Sequence, residues 1–195
     1  MDSECFSKAI EEFDAANSKD PNRENWQGKE YPKELLYAQR MSQWLQRLEP
    51  NASEALQLAA RCQHIRRWEI PRSRYPKTRA GYLQWRMTLY EFHAQKAGEI
   101  LKGIAYDPQT IERVQTLLRK KNIKSDPEMQ LLEDVICLVF LENYFADFSK
   151  QHEEQKIIEI VRKTWNKMSP RGQQAALQLK ISPEARILVE KALQK

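Results

Sequence analysis

Glycine and cysteine are both scarce in this sequence of 195 residues, and each shortage excludes a class of site. Only five glycines are present, and neither GxGxxG nor GxxxxGK(S/T) occurs, so the sequence has no glycine-rich loop for nucleotide phosphates. The three cysteines are Cys5, Cys62 and Cys137, and none of them forms a CxxC pair. Such spacing favours free thiols in a reducing compartment over disulfides or a structural zinc site.

Long apolar runs are also missing. The longest apolar stretch, residues 131–148, is interrupted by acidic residues that include Glu133, Asp134 and Glu142, which excludes a membrane span. The first residues, MDSECFSKAIEEFD, contain no basic region followed by an apolar run, so they do not read as a signal peptide. We therefore expect a cytoplasmic protein that has no membrane partner.

Charged residues make up 30% of the sequence, and hydrophobic residues make up 41%. The charges alternate in sign along most of the chain, as they do on the solvated faces of helices. The net charge of +5 is a modest excess that favours an anionic partner. It does not by itself demonstrate nucleic-acid binding.

Helical periodicity dominates the chain, and strand alternation is absent throughout. Asp107 and Asp126 are each followed by proline, a pair that commonly begins a helix. Residues 17–31 and 69–79 are predicted to be loops between helices. The length of the chain favours a single domain over residues 1–195. We therefore predict an all-α fold of roughly eight or nine helices.

One helix, at about residues 128–149, is apolar on nearly every side and should lie buried at the centre of the domain. Glu133 and Asp134 are in its first half, about 100° apart around the helix axis, so at least one of them should point inward. A buried carboxylate needs a cation as partner: a metal, an arginine or a protonated histidine. An ordinary buried bridge to an arginine is the plainer alternative.

Two of the three histidines are candidates for the same site. His64 follows a run of small apolar residues, and His93 is on a long amphipathic helix, whereas His152 is in a polar stretch and reads as a surface residue. Together with Glu133 and Asp134, the two histidines form a plausible ligand set for Mn, Fe, Mg or Zn. Taken singly, each histidine is explained as well by an ordinary hydrogen-bonded position.

Basic and aromatic residues alternate over residues 66–86, which we call the basic aromatic loop. Arginine forks bind phosphate oxygens in pairs, and aromatic rings stack on bases. A solvated loop whose arginines pair with surface acids is the alternative interpretation. The residues of this loop expected to contact a phosphorylated substrate are Arg67, Arg72, Arg74, Lys77 and Arg86.

Three strings resemble segments of the HD-domain metal-dependent phosphohydrolases: LQLAARCQHIRR, HAQKAGEIL and LLEDVICLVFLE. The resemblance implies a helical core at about 32–150 with the helices of 151–195 packed on it. It also implies a metal at His64, His93, Glu133 and Asp134, with both acids catalytic. The histidine-aspartate doublet of that family is absent here, and Tyr37 replaces the histidine of its first helix. Tyr37, Arg40 and Gln63 are then expected to line the substrate pocket.

A second resemblance covers nearly the whole chain. The strings ELLYAQRMSQWL, AARCQHIRRWEIPR and LEDVICLVFLE are similar to the uncharacterised family known as domain of unknown function 4202. That resemblance implies no activity.

Two functions follow as expectations. The first is a metal-dependent hydrolase of a phosphorylated substrate, which would be a nucleotide, a nucleic-acid end or a small phosphoester. The alternative is a catalytically inactive nucleotide- or RNA-binding module that uses the basic aromatic loop. Redox chemistry at an iron site on the same scaffold is a third hypothesis, and the residues do not favour it over hydrolysis.

Overall fold

A computed structural model describes residues 3–120 and 125–193 of the chain. It confirms the predicted all-α class, since its described residues are mostly helical and add only one short hairpin. The chain divides into two compact units, Met1–Asn122 and Ile123–Lys195. The boundary falls inside the stretch 32–150 that the family resemblance implies as one core, and a single domain over 1–195 stays a prediction.

The first unit contains five α-helices and a β-hairpin among its described residues. Their bounds are α1 Ser3–Asn17, β1 Arg23–Trp26, β2 Lys29–Pro32, α2 Lys33–Leu48, α3 Glu54–Arg61, α4 Arg79–Gly103 and α5 Pro108–Arg119. The apolar periodicity of these helices places Phe13, Met41, Leu58, Leu89 and Val114 in the core, each almost fully inaccessible to water. Helices α4 and α5 pack most closely, and Gln115 of α5 donates to the Ala94 carbonyl of α4 over 3.0 Å.

The β-hairpin is a correction to the sequence analysis, which assigned residues 17–31 to a loop and found no strands. Strands β1 and β2 pair antiparallel, with Trp26 opposite Lys29. Gln27 and Gly28 form the turn with φ of 50° and 77°, which are the positive values that a tight two-residue hairpin turn requires. The strands have only four residues each, too few for alternation to be recognised in the sequence.

The segment between α3 and α4 also differs from the prediction. Helix α3 ends at Arg61, so His64 lies in a turn beyond the helix rather than on it. Arg66 adopts a left-handed conformation with φ of 52°, which no helix interior accommodates. Two 3-10 turns, Arg67–Glu69 and Arg72–Arg74, then lead to α4, which begins at Arg79.

The second unit is built on α6, Pro127–Asn143, which corresponds to the predicted buried central helix. Asp126 caps it by accepting the amides of Glu128 and Met129, as the aspartate-proline pair predicts. The remaining helices are α7 Phe145–Ser149, α8 Glu154–Lys167, α9 Pro170–Leu177 and α10 Pro183–Leu193. Over the two described ranges, every helix is too short or too polar to cross a membrane.

Candidate functional site

The site is in the first unit and begins with Glu34, in the first turn of α2. Its backbone amide donates to Oδ2 of Asp20 over 3.0 Å. The other oxygen of Asp20 accepts both the backbone amide and the side-chain amide of Asn22. Asp20 is fully buried, and these bonds satisfy its carboxylate while fixing the start of α2. Glu34 is thereby held with only 7% of its surface exposed.

The turn that carries His64 is anchored at two points. The Arg66 amide donates to Oδ1 of the buried Asn17, the last residue of α1, over 3.0 Å. The carbonyl of Ile65 accepts a hydrogen bond from Nδ1 of His93 on α4, over 2.9 Å. Helices distant in sequence therefore set the position of His64, and the left-handed Arg66 turns the chain so that Arg67 lies beside it.

His64 contacts three side chains. Its Nδ1 is 3.2 Å from Oε2 of Glu34, and its Nε2 is 3.1 Å from Nη1 of Arg67. A guanidinium can only donate, so Nε2 must be the acceptor and Nδ1 must carry the proton given to Glu34. The Tyr37 ring stacks on the imidazole, with centroids 4.0 Å apart and planes 11° apart. These contacts fix both the tautomer and the orientation of the ring.

His93 lies beside His64, with ring centroids 5.9 Å apart. Because its Nδ1 donates to the Ile65 carbonyl, its neutral form presents a lone pair at Nε2. That nitrogen is buried and has no hydrogen-bond partner among the described residues. A buried acceptor without a partner is uncommon and indicates a site for a donor or a cation that is not part of the protein.

Cations surround this pair of imidazoles. Arg67 is the nearest, and its Nε is 3.8 Å from Oε1 of Glu34. Arg86 donates to the hydroxyl of Tyr90 from Nη2 over 2.5 Å, and Lys120 Nζ lies 5.6 Å from the centroid of the same ring. Arg67, Arg86 and Lys120 all act electrostatically on His64, so positive charge is concentrated around the imidazoles. Glu34 is the carboxylate that contacts His64.

Burial and these cations act together on the ionisable groups. The pKa of His64 is lowered well below its usual 6.5 by burial and then by Arg67, Arg86, Lys120 and Lys33. The pKa of His93 is lowered in the same way, first by burial and then by charge on His64 and Arg67. Burial raises the pKa of Glu34 from 4.5 to about 7, although Arg67 and Lys33 oppose the shift. At neutral pH both histidines are uncharged, so the local charge is that of the arginines and lysines together with the partly ionised Glu34.

The structure brings together five of the predicted site residues: His64, His93, Tyr37, Arg67 and Arg86. Gln63 is next to them and is buried, with its Oε1 lacking a hydrogen-bond partner among the described residues. Arg40 is also buried, where its guanidinium pairs with Glu24 at 2.5 Å.

The other basic residues of the loop make local bonds. Arg72 donates to the carbonyls of Tyr75 and Pro76, and Arg74 donates to the carbonyl of Glu69. These bonds close the loop on itself through backbone carbonyls, and the contacts of these arginines with a phosphorylated substrate stay predictions. Lys77 is exposed.

The predicted acidic pair has its partners inside the second unit. Asp134 accepts the amide and hydroxyl of Ser169 over 2.8 and 2.5 Å, and Glu133 is 3.6 Å from Lys167 Nζ. Both carboxylates are buried, where the sequence predicts this of at least one, and these partners account for their burial. In the parts of the chain that the structure describes, no three histidine, cysteine or acidic side chains form a group able to hold a metal. The catalytic and metal-binding roles of Glu133 and Asp134 stay predictions.

Sequence reasoning missed Glu34, Tyr90 and Lys120. An acidic residue in the first turn of a helix is favoured by the helix dipole anyway, so Glu34 carried no separate signal. Tyr90 is four residues after Arg86 on α4, a spacing that places the two on one helix face and that could have been noticed.

A cavity of about 470 Å³ lies elsewhere in the first unit. Its lining includes Phe6, Ile10, Leu45 and Gln57, from α1, α2 and α3, and none of the predicted site residues contributes to it. It presents mainly apolar surface, and Arg61, one of the polar residues in its lining, is paired with Asp14.

Comparison with known proteins yields one family. The family model described as domain of unknown function (DUF4202) matches residues 7–189. No curated protein and no solved structure matches the chain. The match spans the described part of the first unit from α1 onward and most of the second unit.

Proposed function

The chain belongs to the DUF4202 family, and we propose from the geometry around His64 that it binds the phosphate group of a phosphorylated ligand there. The observation that supports this most directly is the placement of Arg67. Its guanidinium is oriented by a hydrogen bond to the neutral His64 and by a longer ion pair with Glu34, whose Oε1 is 3.8 Å from Nε, and further cations lie nearby. We call this region, formed by Glu34, His64, Arg67, Arg86 and His93, the His64 site.

A phosphate suits the His64 site for reasons of charge and of hydrogen bonding. Arg67 uses one Nη1 donor for His64, and a guanidinium carries four further N–H groups that match the oxygens of a phosphate. Arg67 is mostly buried, with 22% of its side chain exposed, so its charge is screened less than that of a surface arginine. The cations repel one another, and a bound anion would relieve that repulsion.

The two histidines and Glu34 would complete the binding of a phosphate monoester. The second pKa of a phosphate monoester is about 6, so a minor fraction is the monoanion at neutral pH, and the P–OH group of that monoanion could donate to the lone pair at Nε2 of His93. Glu34, with its pKa near 7, can be neutral or charged as the ligand requires. The neutral state of this acid would remove the carboxylate that repels an approaching phosphate.

The test is isothermal titration calorimetry of the full chain with ribose 5-phosphate. Arg67→Met keeps the length of the side chain and removes its charge, and we expect it to weaken binding at least tenfold, since a charge-assisted hydrogen bond contributes about 1.5–3 kcal/mol. Arg74→Met is the matched control, because Arg74 is an exposed residue of the same loop whose partner is the Glu69 carbonyl. Equal affinity in wild type and Arg67→Met, or a loss in Arg74→Met alone, would overturn the proposal.

Metal-dependent phosphohydrolysis is a second candidate, favoured by one observation. Each histidine directs Nδ1 toward an oxygen acceptor, Glu34 or the Ile65 carbonyl, and this arrangement orients metal-ligating histidines in general. The fit is incomplete, because Nε2 of His64 already accepts from Arg67 and the described residues of the first unit add no third ligand to the two imidazoles. Elemental analysis of untagged protein tests this candidate: a stoichiometric metal that is lost in His93→Ala supports it, and metal-free wild-type protein argues against it.

A further inference from the structure

Helix α4 presents one face to the His64 site. His93, Tyr90, Arg86 and Tyr82 are spaced by three or four residues, so they lie on the same side of the helix. Exposure increases along this face, from 2% at His93 through the half-buried Tyr90 and Arg86 to 43% at Tyr82. At 1.5 Å per residue, Tyr82 is about 6 Å along the axis from Arg86 and about 16 Å from His93. The face therefore runs from the buried imidazoles out to an exposed aromatic ring.

The exposed ring of Tyr82 has a rigid support. Trp85 donates its indole N–H to the Ile70 carbonyl over 2.8 Å, which fixes the indole. The Tyr82 ring lies against it, with centroids 6.0 Å apart. The Arg67 guanidinium carbon is 4.8 Å from the centroid of the Trp85 ring. One indole thus connects the proposed phosphate-binding arginine to the exposed tyrosine.

From this arrangement we infer that the phosphorylated ligand is a nucleotide, with its phosphate at Arg67 and its base stacked on Tyr82. The assignment rests on the proposed function. A phosphate alone would use the arginines and histidines and would leave the aromatic ring without a role. A base offers a flat π surface to an aromatic side chain, and stacking of this kind tolerates any of the four bases.

Tyr82 is the residue to test, because the Trp85 ring is already in contact with the Arg67 guanidinium and its indole N–H already donates to the Ile70 carbonyl. Arg72 lies 6.0 Å from the centroid of the same indole, which further limits the access of a base to it. Tyr82 has no such cation among the ring contacts of the described residues. The neighbouring Leu83, which is 53% exposed, provides the control position, since it is as accessible but offers no aromatic ring.

The experiment compares AMP with ribose 5-phosphate, which has the same sugar and phosphate but lacks the base. Affinities are measured by calorimetry on the full chain in buffer with EDTA, so that no metal-dependent turnover interferes. We expect AMP to bind about tenfold more tightly than ribose 5-phosphate. Tyr82→Ala should abolish this preference without changing the affinity for ribose 5-phosphate. Tyr82→Phe and Leu83→Ala should both keep the preference.

The outcomes separate the inference from the proposed function. Equal affinity for AMP and ribose 5-phosphate, or an AMP preference that survives in Tyr82→Ala, overturns the nucleotide assignment and leaves the phosphate site standing. Failure of both ligands to bind overturns the proposed function itself. A parallel titration with GMP, CMP and UMP should give affinities within about tenfold of AMP, because the ring recognises the π surface rather than the edge of the base.

Discussion

Nδ1 of His93 on α4 lies 2.9 Å from the carbonyl oxygen of Ile65, the residue directly after His64. One buried histidine thus holds the turn that carries the other. The bond also fixes the tautomer of His93, so its Nε2 presents a lone pair within the His64 site. The structural and chemical roles of His93 are therefore inseparable, and a substitution there should affect both.

His93→Gln tests the structural role. A glutamine amide cannot occupy the position of Nδ1, so the buried Ile65 carbonyl would lose its donor, and the free energy of unfolding should fall by about 1–3 kcal/mol. Urea unfolding measures the change. His152→Gln is the matched control, since His152 is packed on Phe148 at an accessible position of the second unit, and it should cost less than about 0.5 kcal/mol. Equal effects of the two substitutions would contradict the anchoring role.

Glu34→Gln should change how stability depends on pH. The raised pKa of Glu34, about 7 against 4.5, means that the folded protein holds this proton more tightly than the unfolded chain. The stability gained from the proton is fully present below pH 4.5 and is lost as the pH rises through 7. Glutamine cannot lose a proton, so Glu34→Gln should become more stable relative to wild type between pH 5 and pH 8, on the order of 3 kcal/mol in total.

Urea unfolding of both proteins at several pH values measures that difference. The pKa values of His64 and His93 are lowered in the folded protein, so these residues change the pH dependence of stability in the opposite direction. The stability that the two uncharged histidines contribute is present above pH 6.5 and is lost as the pH falls below it. They act in both proteins and largely cancel in the comparison. A difference that stays constant from pH 5 to pH 8 would show that Glu34 has an ordinary pKa.

Gly172→Ala tests the packing of Asp134 in the second unit. A Cβ at Gly172 would lie 2.7 Å from Cγ of Asp134, which is held by Ser169 and cannot move away without breaking its bonds. We expect a loss of about 1–3 kcal/mol in the free energy of unfolding. Gly103→Ala is the control: a Cβ there meets nothing within 4 Å, and alanine at this helical position should stabilise by about 0.4–1 kcal/mol. A neutral Gly172→Ala would show that Asp134 is less tightly held.

Part of this architecture could be predicted from sequence because it depends on local patterns. The helix capped by Asp126 and the burial of at least one of Glu133 and Asp134 follow from the cap and from apolar periodicity, both of which act within a few residues. The predicted metal set depends on the expectation that Glu133 and Asp134 need a metal, an arginine or a protonated histidine. In the structure Lys167 is a cation near Glu133, and Ser169 donates to Asp134 through its amide and its hydroxyl, donors that leave no mark in the sequence.

The pairing of Glu34 with His64 could not be predicted for a different reason. The two residues are 30 positions apart, and their contact depends on two features with no periodic signal. One is the bond from the Glu34 amide to Asp20, which fixes the start of α2. The other is the left-handed conformation of Arg66, which is unusual for arginine and which occurs where its amide donates to Asn17.

Crystallography of the full chain soaked with tungstate, a heavy analogue of phosphate, tests the central claim most directly. The anomalous signal of tungsten locates the anion without reference to the protein coordinates. Our account predicts a peak within hydrogen-bonding distance of the Arg67 guanidinium and close to Nε2 of His93, and loss of that peak in Arg67→Met. Anion peaks confined to other arginines and lysines, with none at Arg67, would contradict it.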